Sequence, residues 1–174
     1  MGLAEIADGV VAFVADNRAW AAPIVFVLAF GESLAFLSLI FPATVMLVGI
    51  GALIGAAGLP FWPIAFAAMA GALIGDAISY WIGWRYGHRL SGVWPFSKQP
   101  DLLPRGARFF ERWGTLSVFF GRFFGPIRAA ITVVAGTFKM PLPKFAAAAL
   151  ASAPIWAIGL LAPGAFGVKF LFGP

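Results

Sequence analysis

The chain has 174 residues, 61% hydrophobic and 11% charged, with mean hydropathy +0.94. That composition excludes an ordinary soluble domain and implies an all-α polytopic membrane protein forming one domain over residues 1–174. The lack of cysteine excludes disulfides, thiolate chemistry and zinc–thiolate sites. The net charge of +5 does not read as nucleic-acid binding, because six of the twelve basic residues (Arg85, Arg89, Lys98, Arg105, Arg108, Arg112) share one connection, the pattern of a cytoplasmic loop.

Residues 1–17 begin the chain with Leu3, Ile6, Ala7, Val10, Val11 and Val14 at three- and four-residue steps, and with Glu5, Asp8 and Asp16 between them. This predicts an amphipathic helix of about four turns, too charged to span and lying on the surface. Its acidic face lacks a positive-inside signal and leans to the non-cytoplasmic side. Glu5 and Asp8 stand where a cleaved leader would carry a basic region, so no such leader is expected.

From Ala19 to Trp84 the only charges are Glu32 and Asp76. Pro42 interrupts this stretch, and the arm from Ala43 to Gly58 comes to about 24 Å of helix, short of a hydrocarbon core of about 30 Å. A re-entrant hairpin with its tip near Pro42 fits better than two spans, provided protein buries the broken backbone. Glu32 then lies on the entering arm, inside the bundle. After the turn Leu59-Pro60-Phe61-Trp62-Pro63, the run Ile64–Trp84 is long enough to span. Gly71-Ala72-Leu73-Ile74-Gly75 repeats the pentapeptide Gly51–Gly55, and both offer small-residue faces for close helix approach. Tyr80, Trp81, Trp84 and Tyr86 read as an aromatic belt at the basic end.

Residues 85–113 form the polar connection. After Pro104, Ala107, Phe110 and Trp113 alternate with Arg105, Arg108 and Arg112, predicting a short basic interfacial helix that anchors topology on an anionic leaflet. The sole histidine, His88, lies between Arg85 and Arg89 and reads as a loop residue rather than a catalyst.

Residues 114–170 repeat the plan of residues 19–84. Gly114–Gly125 and Ile127–Phe138 come to about 18 Å each as helix, so neither spans alone. They form either one kinked span or a second re-entrant hairpin broken at Gly125-Pro126, and half-length arms with the break midway favour the hairpin. Lys139–Lys144 is a turn, and Phe145–Val168 spans, with Pro154 and Pro163 as kink positions. A broken pair followed by a full span, twice over, is the pattern of an inverted repeat and points to a midplane transport site.

Arg122 and Arg128 are the only charges between Gly114 and Phe138. An arginine at bilayer depth costs roughly 2.5–3.5 kcal/mol, so such residues persist when they face a polar cavity, a partner or an anionic ligand. On an unbroken helix they would point about 120° apart. A break at Gly125-Pro126 lets a new helix begin at Ile127 with free N–H groups near Arg128, and two guanidiniums beside a helix N-terminus make a phosphate site. The alternative is a proline-kinked span whose arginines snorkel or pair structurally.

Gly31-Glu32-Ser33-Leu34 leading to Phe41-Pro42-Ala43-Thr44, then Gly75-Asp76-Ala77-Ile78-Ser79-Tyr80-Trp81-Ile82-Gly83, then Gly121-Arg122-Phe123-Phe124-Gly125-Pro126-Ile127-Arg128, resemble the DedA family of bacterial inner-membrane proteins, relatives of the eukaryotic VTT-domain lipid scramblases. The resemblance implies two re-entrant loops meeting in the membrane and transport of phospholipid-like substrates. Members are linked to recycling of undecaprenyl phosphate and to the proton-motive force. The family's essential carboxylate matches Glu32, and its essential arginines match Arg122 and Arg128. Many members carry Pro-Gly-Asp where this chain has Pro42-Ala43-Thr44, which leaves Asp76 as the alternative second carboxylate.

The reading is therefore a translocase of anionic lipid phosphates in the bacterial inner membrane, with Arg122 and Arg128 on the headgroup and Glu32 or Asp76 handling protons. No cofactor and no metal is expected. A hydrolase is disfavoured, because one loop histidine with no His/Asp cluster supplies neither nucleophile nor metal site. A non-transporting scaffold using the glycine-rich faces is the remaining alternative, and a homo-oligomer is left open.

Overall fold

The computed structural model describes residues 3–34, 43–92, 96–98 and 100–172, in which every regular element is helical. The helices are α1 (Leu3–Asp16), α2 (Ala21–Ser33), α3 (Ala43–Ala57), α4 (Phe61–Tyr86), α5 (Leu102–Trp113), α6 (Thr115–Gly121), α7 (Gly125–Thr137) and α8 (Leu142–Phe172). Only α4 and residues 142–167 of α8 are, among the described residues, long and apolar enough to cross a membrane. This is a multi-pass all-α membrane protein.

Two of its helices are arms of a hairpin for a reason the backbone makes plain. At the end of α6 the N–H groups of Phe123 and Phe124 reach back to Phe120 O and Gly121 O, tightening the last turn. Residues 122–124 then reverse the chain, and Pro126 opens α7 in the first helical turn, where its missing N–H costs nothing. A Cβ built on Gly121 would lie 2.9 Å from the Ile131 side chain. On a straight helix residues ten apart are separated by about 15 Å, so the kinked-span alternative is excluded. The open ends agree, since the rings of Phe110 and Phe138 sit 5.3 Å apart. The second helix starts at Gly125 rather than Ile127.

In the first half, α2 ends where Leu34 turns extended (φ −75°, ψ 122°). The chain re-enters helix at Ala43, and Glu32 is tied to Thr44 by a 2.8 Å hydrogen bond. The expected tip at Pro42 lies outside the described residues.

The arms pack by a pattern that repeats. Each first arm packs on the span of its own half (α2 on α4, α6 on α8), and each second arm on the span of the other half (α3 on α8, α7 on α4). Glycines make these seams close. A Cβ on Gly75 would stand 2.7 Å from the Phe30 carbonyl and from Ser33 Cβ, and one on Gly51 2.9 Å from the Leu161 carbonyl. Gly83 lies against the Val133 carbonyl and Gly136 against the Tyr80 carbonyl, too close for any side chain. Both GALIG pentapeptides are thus helix-packing faces, against α2 and α8 respectively.

Three sequence expectations are corrected here. The N-terminal helix does not merely lie on the surface. It bends by 118° from the following segment and packs on α3, with Val14 fully buried and Val11 against Gly49. Tyr80 does not belong to the aromatic belt: it is buried, stacks on Phe145 and donates to the Met140 carbonyl, whereas Trp81, Trp84 and Tyr86 are exposed. The last span begins at Leu142, so half of the expected turn is its first helical turn, where Pro143 is tolerated. As expected, Pro154 and Pro163 lie inside this one helix.

Candidate functional site

The end of α2, the reversal after α6 and the first turn of α7 meet beside α4 and α8, and the four charged residues that stood alone in apolar sequence come together there. Arg122, in the reversal after α6, donates from Nη2 to Asp76 Oδ2 of α4 and from Nε to Ser152 Oγ of α8 at 3.0 Å. Arg128, in the first turn of α7, donates from Nη2 to Ser33 Oγ at 2.7 Å, and its Nη1 lies 3.6 Å from Glu32 Oε1, both on the end of α2. The side chains of Arg122 and Asp76 are 3% exposed, that of Arg128 7% and that of Glu32 12%. Two positive and two negative charges cancel, and that lets them stay buried. Removing one partner of such a pair typically costs about 3–5 kcal/mol.

The neutral groups around them have defined jobs. Thr44 donates its hydroxyl to Glu32 Oε1. Ser79 of α4 donates to the Ser33 carbonyl at 3.1 Å, which caps the end of α2 against the span. Trp156 of α8, buried, faces both guanidiniums: Arg128 Cζ lies 4.2 Å from its ring centroid and Arg122 Cζ 6.0 Å. A desolvated cation over tryptophan is worth about 2 kcal/mol.

Four buried polar atoms have no hydrogen-bond partner among the described residues: Glu32 Oε2, Arg122 Nη1, Arg128 Nε and Thr132 Oγ1. Thr132 lies one turn beyond Arg128, and the contrast with Thr137 is informative. Thr137 takes the ordinary helical bond to the carbonyl four residues back, at 3.0 Å from Val133 O, whereas the Thr132 hydroxyl is unspent. Arg122, Arg128 and Thr132 line one narrow cleft with Asp76, Val118 and Ile131, and this cleft has no room for a water molecule. Three hydrogen-bonding groups therefore converge on a closed space.

At the N-terminus of α7 the Arg128 N–H is bonded to the N-cap carbonyl, Phe124 O, at 3.2 Å, so any free N–H groups there belong to the residues before it. Asp76 is the direct partner of Arg122. Arg122, Arg128, Glu32 and Asp76 share one site, while Gly125 and Pro126 form the start of α7 beside it. Ser33, Thr44, Thr132, Ser152 and Trp156 were not singled out from sequence. Small hydroxyls and a tryptophan inside apolar helices look like packing until the charges they face are known.

The sequence profile of the VTT domain matches residues 41–166, most of the chain. The chain belongs to the VTT-domain family. This VTT-domain chain is 35% identical over 153 residues to the inner membrane protein YabI of Escherichia coli, an alignment covering 87% of the chain and 60% of YabI. It is 31% identical over 152 residues to the uncharacterized membrane protein BU139 of Buchnera aphidicola, covering 87% and 59%. It is also 39% identical over 100 residues to the uncharacterized membrane protein Rv2637 of Mycobacterium tuberculosis, covering 55% and 46%. The VTT-domain chain thus spans about three-fifths of the length of the first two of these relatives. No solved structure matches it. The DedA resemblance read from the three motifs agrees with this membership.

Proposed function

We propose that this VTT-domain protein translocates anionic lipid phosphates across the bacterial inner membrane, with the headgroup passing through the Arg122–Arg128 cluster while the tail stays in lipid. The observation that carries the reading is that Arg122, Arg128 and Thr132, which carry the unspent donors Nη1, Nε and Oγ1, line one narrow cleft. A buried group without a partner costs about 1–3 kcal/mol, and a phosphate would satisfy several at once. The closed cleft corresponds to an occluded resting state in which Asp76 and Glu32 occupy the arginines.

Glu32 is the proton-handling group on this reading. Its contact with Arg128 is longer than that of Asp76 with Arg122, and it is the more exposed carboxylate. Protonation of Glu32 frees Arg128 for phosphate, so loading of each lipid draws a proton into the site. Coupling has a physical motive, because moving one negative charge against an inside-negative potential costs about 2.3 kcal/mol per 100 mV. Asp76 then holds Arg122 in place throughout.

The test is uptake of a labelled lipid phosphate by proteoliposomes with and without an inward proton gradient. Gradient-stimulated uptake that disappears in Glu32→Gln supports the assignment. A Glu32→Gln protein that is active and as gradient-dependent as the wild type removes Glu32 from the proton path. Absence of uptake by the folded wild type in both conditions overturns the translocase reading.

A further inference from the structure

We infer that Trp156 is a positioning residue, whose ring is an uncharged seat shared by Arg122 and Arg128 that keeps both guanidiniums in the site when their carboxylates let go. This rests on the transport reading above for its consequence, though not for its geometry.

The groups facing the ring explain the need for it. Charge reaches the cluster from Glu32 on α2, Asp76 on α4, Arg122 in the 122–124 reversal and Arg128 on α7. The central part of α8 brings none, since no charged residue lies between Lys144 and Lys169, yet α8 touches both arginines through Ser152 and Trp156. When Glu32 takes a proton, Arg128 loses its carboxylate while still cut off from water. Asp76 also acts on Arg128 but is engaged by Arg122, so a further source of negative potential is needed to hold Arg128 in the site. The face of an indole ring supplies that potential and does not titrate.

A guanidinium seated flat on the ring would also leave the right atoms available. A guanidinium over a ring uses its flat face, and its N–H groups radiate from the edge in the plane that matches a phosphate. Arg128 Nε and Arg122 Nη1, the two unspent arginine donors, are edge donors of this kind. Trp156 therefore sets the tilt at which the two edges present themselves. It also holds Arg128 in the state in which Glu32 carries a proton, so removing the ring disfavours that state.

The experiment compares wild type, Trp156→Phe and Trp156→Leu. In proteoliposomes we expect Trp156→Leu to lose about tenfold in lipid-phosphate uptake at neutral pH and to need more acidic medium for half-maximal uptake. Phenylalanine keeps a ring face and restores most of both. A leucine variant with the wild-type pH response, or a phenylalanine variant as impaired as leucine, overturns the proposal. A second measurement does not depend on transport. In protein labelled with 5-fluorotryptophan, the Trp156 fluorine resonance is the one lost in Trp156→Phe. We expect Arg128→Gln to move it and acidification of the wild type to leave it in place, because the arginine stays on the ring. If acidification moves it as far as Arg128→Gln does, the arginine leaves and the proposal falls. If the wild type carries no lipid phosphate, the transport reading falls alone, and the fluorine shift still decides the role of the ring.

Discussion

Arg122 and Arg128 carry the same charge into the same cluster, but their neighbours hold them differently. Arg122 is fixed from two directions by Asp76 and Ser152, whereas Arg128 bonds a neutral serine and meets its carboxylate at 3.6 Å. Asp76→Asn should therefore destabilise the folded protein by about 3–5 kcal/mol, as breaking a buried pair does. Glu32→Gln should cost clearly less, since the amide retains an oxygen for the Thr44 hydroxyl. Thermal unfolding of the two variants in detergent gives the order, and an equal loss would show that the pairs are equivalent. Lysine substitutions separate charge from shape. Arg122→Lys and Arg128→Lys should insert and remain folded but lose most lipid-phosphate uptake, because an ammonium lacks the planar fork. Wild-type uptake by both would remove the arginines from the headgroup site. The four charged members of this cluster were legible in the sequence, because an isolated charge in apolar helix has to find a partner. Who pairs with whom was not, since that depends on how the hairpins turn.

Helix packing here runs on missing side chains, and this makes the elements testable without any transport assay. Gly83 sits against the Val133 carbonyl and Gly136 against the Tyr80 carbonyl, so alanine at either would drive α7 off α4. Gly159 has nothing within 4 Å of the place where a Cβ would go. Gly83→Ala and Gly136→Ala should each lower the unfolding temperature of the purified protein, and Gly159→Ala should leave it unchanged. A Gly136→Ala protein as stable as the wild type would mean that the α4–α7 seam is looser than described. At this scale the sequence located the breaks to within a few residues. The second arm begins at Gly125 because Pro126 favours the first helical turn, a positional preference that outweighs reading the proline as the last residue of a break. Half-length arms with a break midway favoured a hairpin over a kinked span, and Gly121 meeting Ile131 and Phe110 meeting Phe138 bear the hairpin out.

The two halves of the molecule are related in a way that fixes which face each hairpin enters from. From the cluster outward, α3 and α8 run together, Gly51 beside Leu161 and Gly55 beside Ala165. From the same cluster, α7 and α4 run together the other way, with Gly83 beside Val133 and a Thr137 hydroxyl near the Gly83 carbonyl. The first hairpin therefore opens towards the Phe61 end of α4 and the second towards its Tyr86 end, as an inverted repeat requires. The Tyr86 end leads into the connection that holds six basic residues, while Pro60–Pro63 at the other end holds none. The positive-inside rule then puts the mouth of the second hairpin in the cytoplasm and that of the first outside. Because the natural chain has no cysteine, single cysteines report this directly in intact cells treated with an impermeant thiol reagent. Cysteine in place of exposed Trp62 should label from outside. Cysteine in place of Lys98, Thr115 or Lys139 should label only after the membrane is opened. Labelling at 98 from outside would invert the whole molecule. Labelling at only one of 115 and 139 would instead break the second hairpin, and with it the account of how Arg122 and Arg128 reach the same site.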